Sequence, residues 1–112
     1  MLYASIAIFA LAAVAGLTIL ISWLNKKNAS RAVVYTHGLL AATALVLLAV
    51  FSYNNPEHFP KYSLIFFVIA ALGGFYMFSR DMRGKTNPLP LAGLHALLAI
   101  SGFVMLLLFA FS

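Results

Sequence analysis

Apolar residues fall into four long runs along the chain, separated by three short stretches that hold nearly all of the charge. The first run, Leu2 to Leu24, contains no charged residue. The second extends from Ala32 to Tyr53 behind Arg31 and holds one ionisable side chain other than tyrosine, His37. The third covers Tyr62 to Ser79 and stops at Arg80, and the fourth, Leu89 to Phe111, again holds a single histidine, His95. A helix rises ~1.5 Å per residue, so about 20 apolar residues cross a ~30 Å hydrocarbon core. The pattern predicts an all-α membrane protein, a four-transmembrane-helix bundle.

Composition agrees. Of 112 residues, 64% are hydrophobic and 8% charged, where a soluble domain is usually near a quarter charged. That length allows one four-helix domain, residues 1–112, and no separate soluble module. Absence of cysteine removes disulfides and thiolate metal sites. Ala13-Val14-Ala15-Gly16 could pass as a signal-peptidase site, but no basic segment precedes it and the apolar run continues beyond it. The first helix is therefore expected to be retained.

The connections differ in charge. Asn25–Arg31 carries Lys26, Lys27 and Arg31; Asn54–Lys61 carries Lys61 against Glu57; Arg80–Pro90 carries Arg80, Arg83 and Lys85 against Asp81. Basic residues favour the cytoplasmic side, which puts the first and third connections there and both termini on the non-cytoplasmic side. A bacterial inner membrane is the expected location. The bilayer is the first partner, and no nucleic acid is expected, because aromatics do not interleave the basic residues.

The chain also repeats itself. Sliding it by 58 residues lays residues 1–54 over 59–112, and 13 of the 54 pairs are identical. Ser5 falls on Ser63, Phe9 on Phe67, Ala12-Ala13 on Ala70-Ala71, Gly16 on Gly74 and Lys27 on Lys85. His37-Gly38-Leu39-Leu40-Ala41 then falls on His95-Ala96-Leu97-Leu98-Ala99. Each copy holds two helices, so the copies share one membrane orientation. Two tandem helical hairpins related by a parallel pseudo-two-fold axis along the membrane normal are predicted.

His37 stands six residues after Arg31, and His95 six after Leu89, so each lies about 9 Å into its helix from the same end. An ionisable side chain at that depth costs on the order of 2–3 kcal/mol unless it is neutral, paired or liganded. Haem b explains a matched pair, because bis-histidine ligation needs two neutral imidazoles facing one another from rigid helices. Small residues leave room for a porphyrin: Gly16 and Gly74 at similar depth, and Gly38, Ala41, Gly93, Ala96, Ala99 and Gly102 beside the histidines. Arg31, Lys27 and Lys85, with Lys26, Arg80 and Arg83, offer counter-charge to propionates. The site residues expected from sequence are His37 and His95 as iron ligands, with Gly16, Gly74, Gly38, Ala41, Ala99, Arg31, Lys27 and Lys85 around the cofactor.

Four helices carrying His37 and His95 resemble the small four-helix membrane cytochromes b, broadly the b561-like group. The resemblance is architectural and implies electron transfer between quinol, ascorbate or superoxide and another acceptor. It implies a quinone-linked carrier or a haem-bearing subunit of a larger membrane redox complex. Many of that group hold two haems, whereas this chain has histidines for one, and a homodimer could also share haem between chains.

A second function class remains open on the same residues. Membrane histidines and small residues also serve interhelical packing, which suits a non-redox accessory or assembly subunit of a membrane complex. Metal transport is poorly supported, because two nitrogens without carboxylate or thiolate make an incomplete shell. Hydrolysis is excluded by the lack of any intramembrane acid, cysteine or based serine, so any catalysis would be that of a cofactor-based membrane oxidoreductase. His58, beside Glu57 in the second connection, reads as a solvated surface residue.

Overall fold

A computed structural model describes residues 1–112. Four helices follow one another: α1 (Leu2–Leu24), α2 (Arg31–Asn54), α3 (Lys61–Met82) and α4 (Leu89–Phe111). Each is long and apolar enough to cross a membrane. The largest departure from the hydropathy limits is in α3, which runs past Ser79 through Arg80, Asp81 and Met82. Long charged side chains at a helix end reach the headgroup layer, so hydropathy ends before the helix does.

The helices pack as two hairpins, α1 with α2 and α3 with α4, and the hairpins touch each other less closely along α1/α4 and α2/α3. Both hairpins close with the same backbone device. Lys27 N–H bonds Ser22 C=O at 2.8 Å and Lys26 N–H bonds Trp23 C=O at 3.0 Å. In the second hairpin Lys85 bonds Arg80 and Gly84 bonds Asp81, each at 3.0 Å. These are Schellman caps, which need a left-handed residue just past the helix. Lys26 takes that place at φ 58° and Gly84 at φ 74°. Helix α4 starts behind Pro88 with Pro90 in its first turn, where a missing N–H breaks no helical bond.

Burial follows the same register. In α1 the buried residues are Ser5, Phe9, Ala12 and Ile19; in α3 they are Ser63, Phe67, Ala70 and Met77, each 58 positions on. Ala44 and Leu48 in α2 correspond likewise to Gly102 and Leu106 in α4. Phe9 and Phe67 meet across the bundle as stacked rings 4.0 Å apart, and with Ala44, Leu48 and Leu106 they form the apolar core. That core occupies the half of the bundle nearer the termini.

Only 15 of 112 residues are buried, while Leu39, Leu72, Leu97 and Val14 are each more than 60% exposed. Soluble proteins rarely expose contiguous apolar surface on this scale. The exposed faces meet lipid tails, and the chain is an integral membrane protein. Its 44 Å long axis matches a bilayer with its headgroups, about 40–45 Å.

Candidate functional site

Below the aromatic core, toward the basic connections, the two diagonal helices α2 and α4 present His37 and His95 to one another. Their ring centres are 6.2 Å apart and their planes stand at 79°. Each ring is anchored inside its own hairpin. His37 Nδ1 lies 2.7 Å from the Ala12 carbonyl and His95 Nδ1 lies 2.8 Å from the Ala70 carbonyl. A backbone carbonyl only accepts, so each Nδ1 carries the hydrogen and, in the neutral ring, Nε2 keeps a free lone pair.

Glycine makes this reach possible. A Cβ on Gly16 would stand 2.9 Å from His37 Cε1 and 3.1 Å from its Nδ1, and one on Gly74 would stand 3.1 Å from His95 Cε1. Gly16 lies one turn after Ala12, and Gly74 one turn after Ala70. The imidazole therefore crosses the bare turn to meet the carbonyl of the turn before. The spacing Ala-x3-Gly-x20-His occurs once in each hairpin, at the residues that make this arrangement.

The other expected residues divide. Ala41 and Ala99 are half-buried one turn beyond the histidines. Gly38 is exposed with nothing within 4 Å of its would-be Cβ, and the same holds for Gly93. Gly102 packs on Phe67 and Phe66 in the aromatic half, away from the histidines. Lys27, Lys85 and Arg31 are exposed at the basic end. His58 is exposed, and its ring rests 4.6 Å from that of Phe109.

At the basic end the two seams between the hairpins differ. Across α2/α3, Arg31 and Tyr35 both donate to the Met82 sulfur, and Tyr35 meets Phe78 edge-on at 6.0 Å. Across α1/α4 the equivalent positions are Leu89, Gly93, Leu24 and Leu20, which offer no side-chain donor. The anchoring carbonyls of Ala12 and Ala70 and this clasp on Met82 were not visible in the sequence. A carbonyl acceptor leaves no residue signature, although the doubled Ala-Gly-His spacing could have pointed to the first.

The donor set constrains what the pair can hold. No group of three or more His, Cys, Asp or Glu side chains comes together, so a bare metal ion would find two nitrogens and no further ligand. A porphyrin brings four donors of its own and asks the protein for axial ligands only. Metal–imidazole bonds of about 2.0–2.1 Å on each side of one ion put the ring centres roughly 6 Å apart. The observed 6.2 Å between ring centres is of that size, and the carbonyl-held Nδ1 atoms leave each Nε2 as the nitrogen open to a metal.

No protein-family model, curated protein or solved structure matches the chain.

Proposed function

We infer that this chain is a membrane b-type cytochrome holding one haem b between α2 and α4, with His37 and His95 as axial ligands. The observation that carries the reading is the matched pair of Nδ1–carbonyl hydrogen bonds at 2.7 and 2.8 Å, which leave two Nε2 lone pairs on facing helices. Such an outer hydrogen bond fixes the tautomer, orients the ring and raises its basicity toward iron. Haem supplies one-electron chemistry, and the protein supplies position, burial and axial ligands.

Gly16 and Gly74 let the Cε1 edge of each ring come close to its partner helix. Ala41 and Ala99 keep the neighbouring turn narrow. Lys27, Arg31 and Lys85 stand at the nearer membrane face, where propionates would meet cations rather than hydrocarbon. The topology that agrees with the basic connections places that face in the cytoplasm of a bacterial cell, with both termini opposite. The proposed electron partner is the quinone pool or a larger membrane complex, and a homodimer is compatible with the exposed helix faces.

The test is the absorption spectrum of the purified chain, oxidised and dithionite-reduced, beside His37→Ala and His95→Ala. Sharp reduced α and β bands that vanish in both variants support the assignment. A colourless protein from haem-replete cells, or full low-spin haem in both variants, overturns it.

The same hydrogen bonds support a second reading. Each histidine ties α1 to α2 or α3 to α4, and a non-redox assembly subunit would use such ties for packing alone. In that case both alanine variants lose thermal stability and no variant, nor the parent, carries colour.

A further inference from the structure

The end of the bundle far from the histidines holds a groove of about 400 Å³ between the start of α3 and the end of α4. Lys61, Tyr62 and Ser63 line one side, and Met105, Leu108 and Phe109 line the other. Ser63 is 2% exposed and lines this groove, and its hydroxyl makes no side-chain hydrogen bond across its hairpin. Its equivalent in the first hairpin, Ser5, donates to the Ala44 carbonyl at 2.8 Å. One copy of the repeat therefore satisfies this serine internally and the other turns it to the groove.

The backbone there is short of acceptors too. Helix α3 has no side-chain cap; Lys61 N–H bonds Phe59 and Leu64 N–H bonds Pro60, which leaves the Tyr62 and Ser63 amides without a partner. Free amides at a helix start, on the positive end of its dipole, attract an anionic group. Lys61 adds a full charge beside them. Opposite this polar edge, Met105, Leu108 and Phe109 present an apolar wall, and Ser112 at its end turns its hydroxyl back to the Leu108 carbonyl.

Donors at one edge and an apolar wall at the other describe the headgroup boundary of a bilayer lipid. We propose that this groove binds the phosphate of an anionic phospholipid, with the Ser63 hydroxyl, the Tyr62 and Ser63 amides and Lys61 on the phosphate and an acyl chain along Met105, Leu108 and Phe109. The occupant is a lipid of the leaflet on the terminal side of the bundle. The site does not depend on haem, and it lies at the opposite end from the basic connections, which attract anionic lipid by charge alone.

The experiment uses the full chain carrying Lys26→Gln and Arg83→Gln, which weaken the basic end. Native mass spectrometry reads lipid retained from micelles holding equal dioleoylphosphatidylglycerol and dioleoylphosphatidylcholine. One phosphatidylglycerol per chain is expected to stay bound. Ser63→Ala and Lys61→Gln should each cut its retention about fivefold or more, the effect of one hydrogen bond or contact to a charged group. Lys61 is exposed, so its variant keeps the test valid where Ser63→Ala disturbs folding, which helical circular dichroism reports. Equal retention of the two lipids, undiminished retention in the variants that fold, or full displacement by millimolar inorganic phosphate would each overturn the proposal.

Discussion

Gly16 and His37 are in such close register that a single methyl group could not stand between them. A Cβ at position 16 would lie 2.9 Å from His37 Cε1, and the ring cannot swing away while its Nδ1 holds the Ala12 carbonyl at 2.7 Å. Gly74 and His95 repeat the relationship with slightly more room, at 3.1 Å.

This contact predicts an ordering among glycine variants. Gly16→Ala should lose about 1–3 kcal/mol to overpacking, against a gain of about 1 kcal/mol in helix propensity. Gly74→Ala should lose less. Gly38→Ala and Gly73→Ala meet open space and should gain about 0.5–1 kcal/mol. Thermal unfolding in detergent checks the series; Gly16→Ala as the most stable of the four would contradict the geometry.

The two hairpin caps predict an opposite pair of effects. Lys26 sits in the left-handed region that Gly84 fills in the second hairpin. A side chain there costs about 1–2 kcal/mol. Lys26→Gly should therefore raise the unfolding midpoint, and Gly84→Ala should lower it. Equal and small shifts in both would mean that neither turn is held in the folded state.

Burial in this bundle decides stability only where helix meets helix. Leu48 and Leu106 are 0% exposed, whereas Leu39 is 71% exposed. Lipid tails are as apolar as leucine, so an exposed leucine gains little by packing. Leu48→Ala and Leu106→Ala should cost about 2–5 kcal/mol through lost contacts and a cavity. Leu39→Ala should fall within about 0.5 kcal/mol of the parent. Reconstituted unfolding in mixed micelles separates the two classes.

Serine variants should expose the broken symmetry of the repeat. Ser5→Ala removes the bond to Ala44 and should cost about 1 kcal/mol. Ser63→Ala, measured without added anionic lipid, removes no internal bond and should change stability far less. A larger loss at Ser63 than at Ser5 would show that its hydroxyl is engaged within the chain.

Much of this protein was determined by its sequence alone. The four spans were legible because the hydrocarbon thickness imposes one length on any crossing helix, and Leu2–Leu24 and Leu89–Phe111 coincide with α1 and α4. The pairing of His37 with His95 was legible because two hairpins of equal length put equivalent residues at equal depth. Tertiary structure decided the rest, since a run of apolar residues does not state which face it turns inward. It set Gly16 against a ring and Gly38 toward open space, although both are glycines near a histidine in the sequence. It also selected the backbone carbonyls of Ala12 and Ala70 as anchors, a choice made by helix rotation and distance that no side chain records. And it gave Ser5 the Ala44 carbonyl as a partner, a bond without a counterpart at Ser63, because the helices of the first hairpin pack more closely than those of the second.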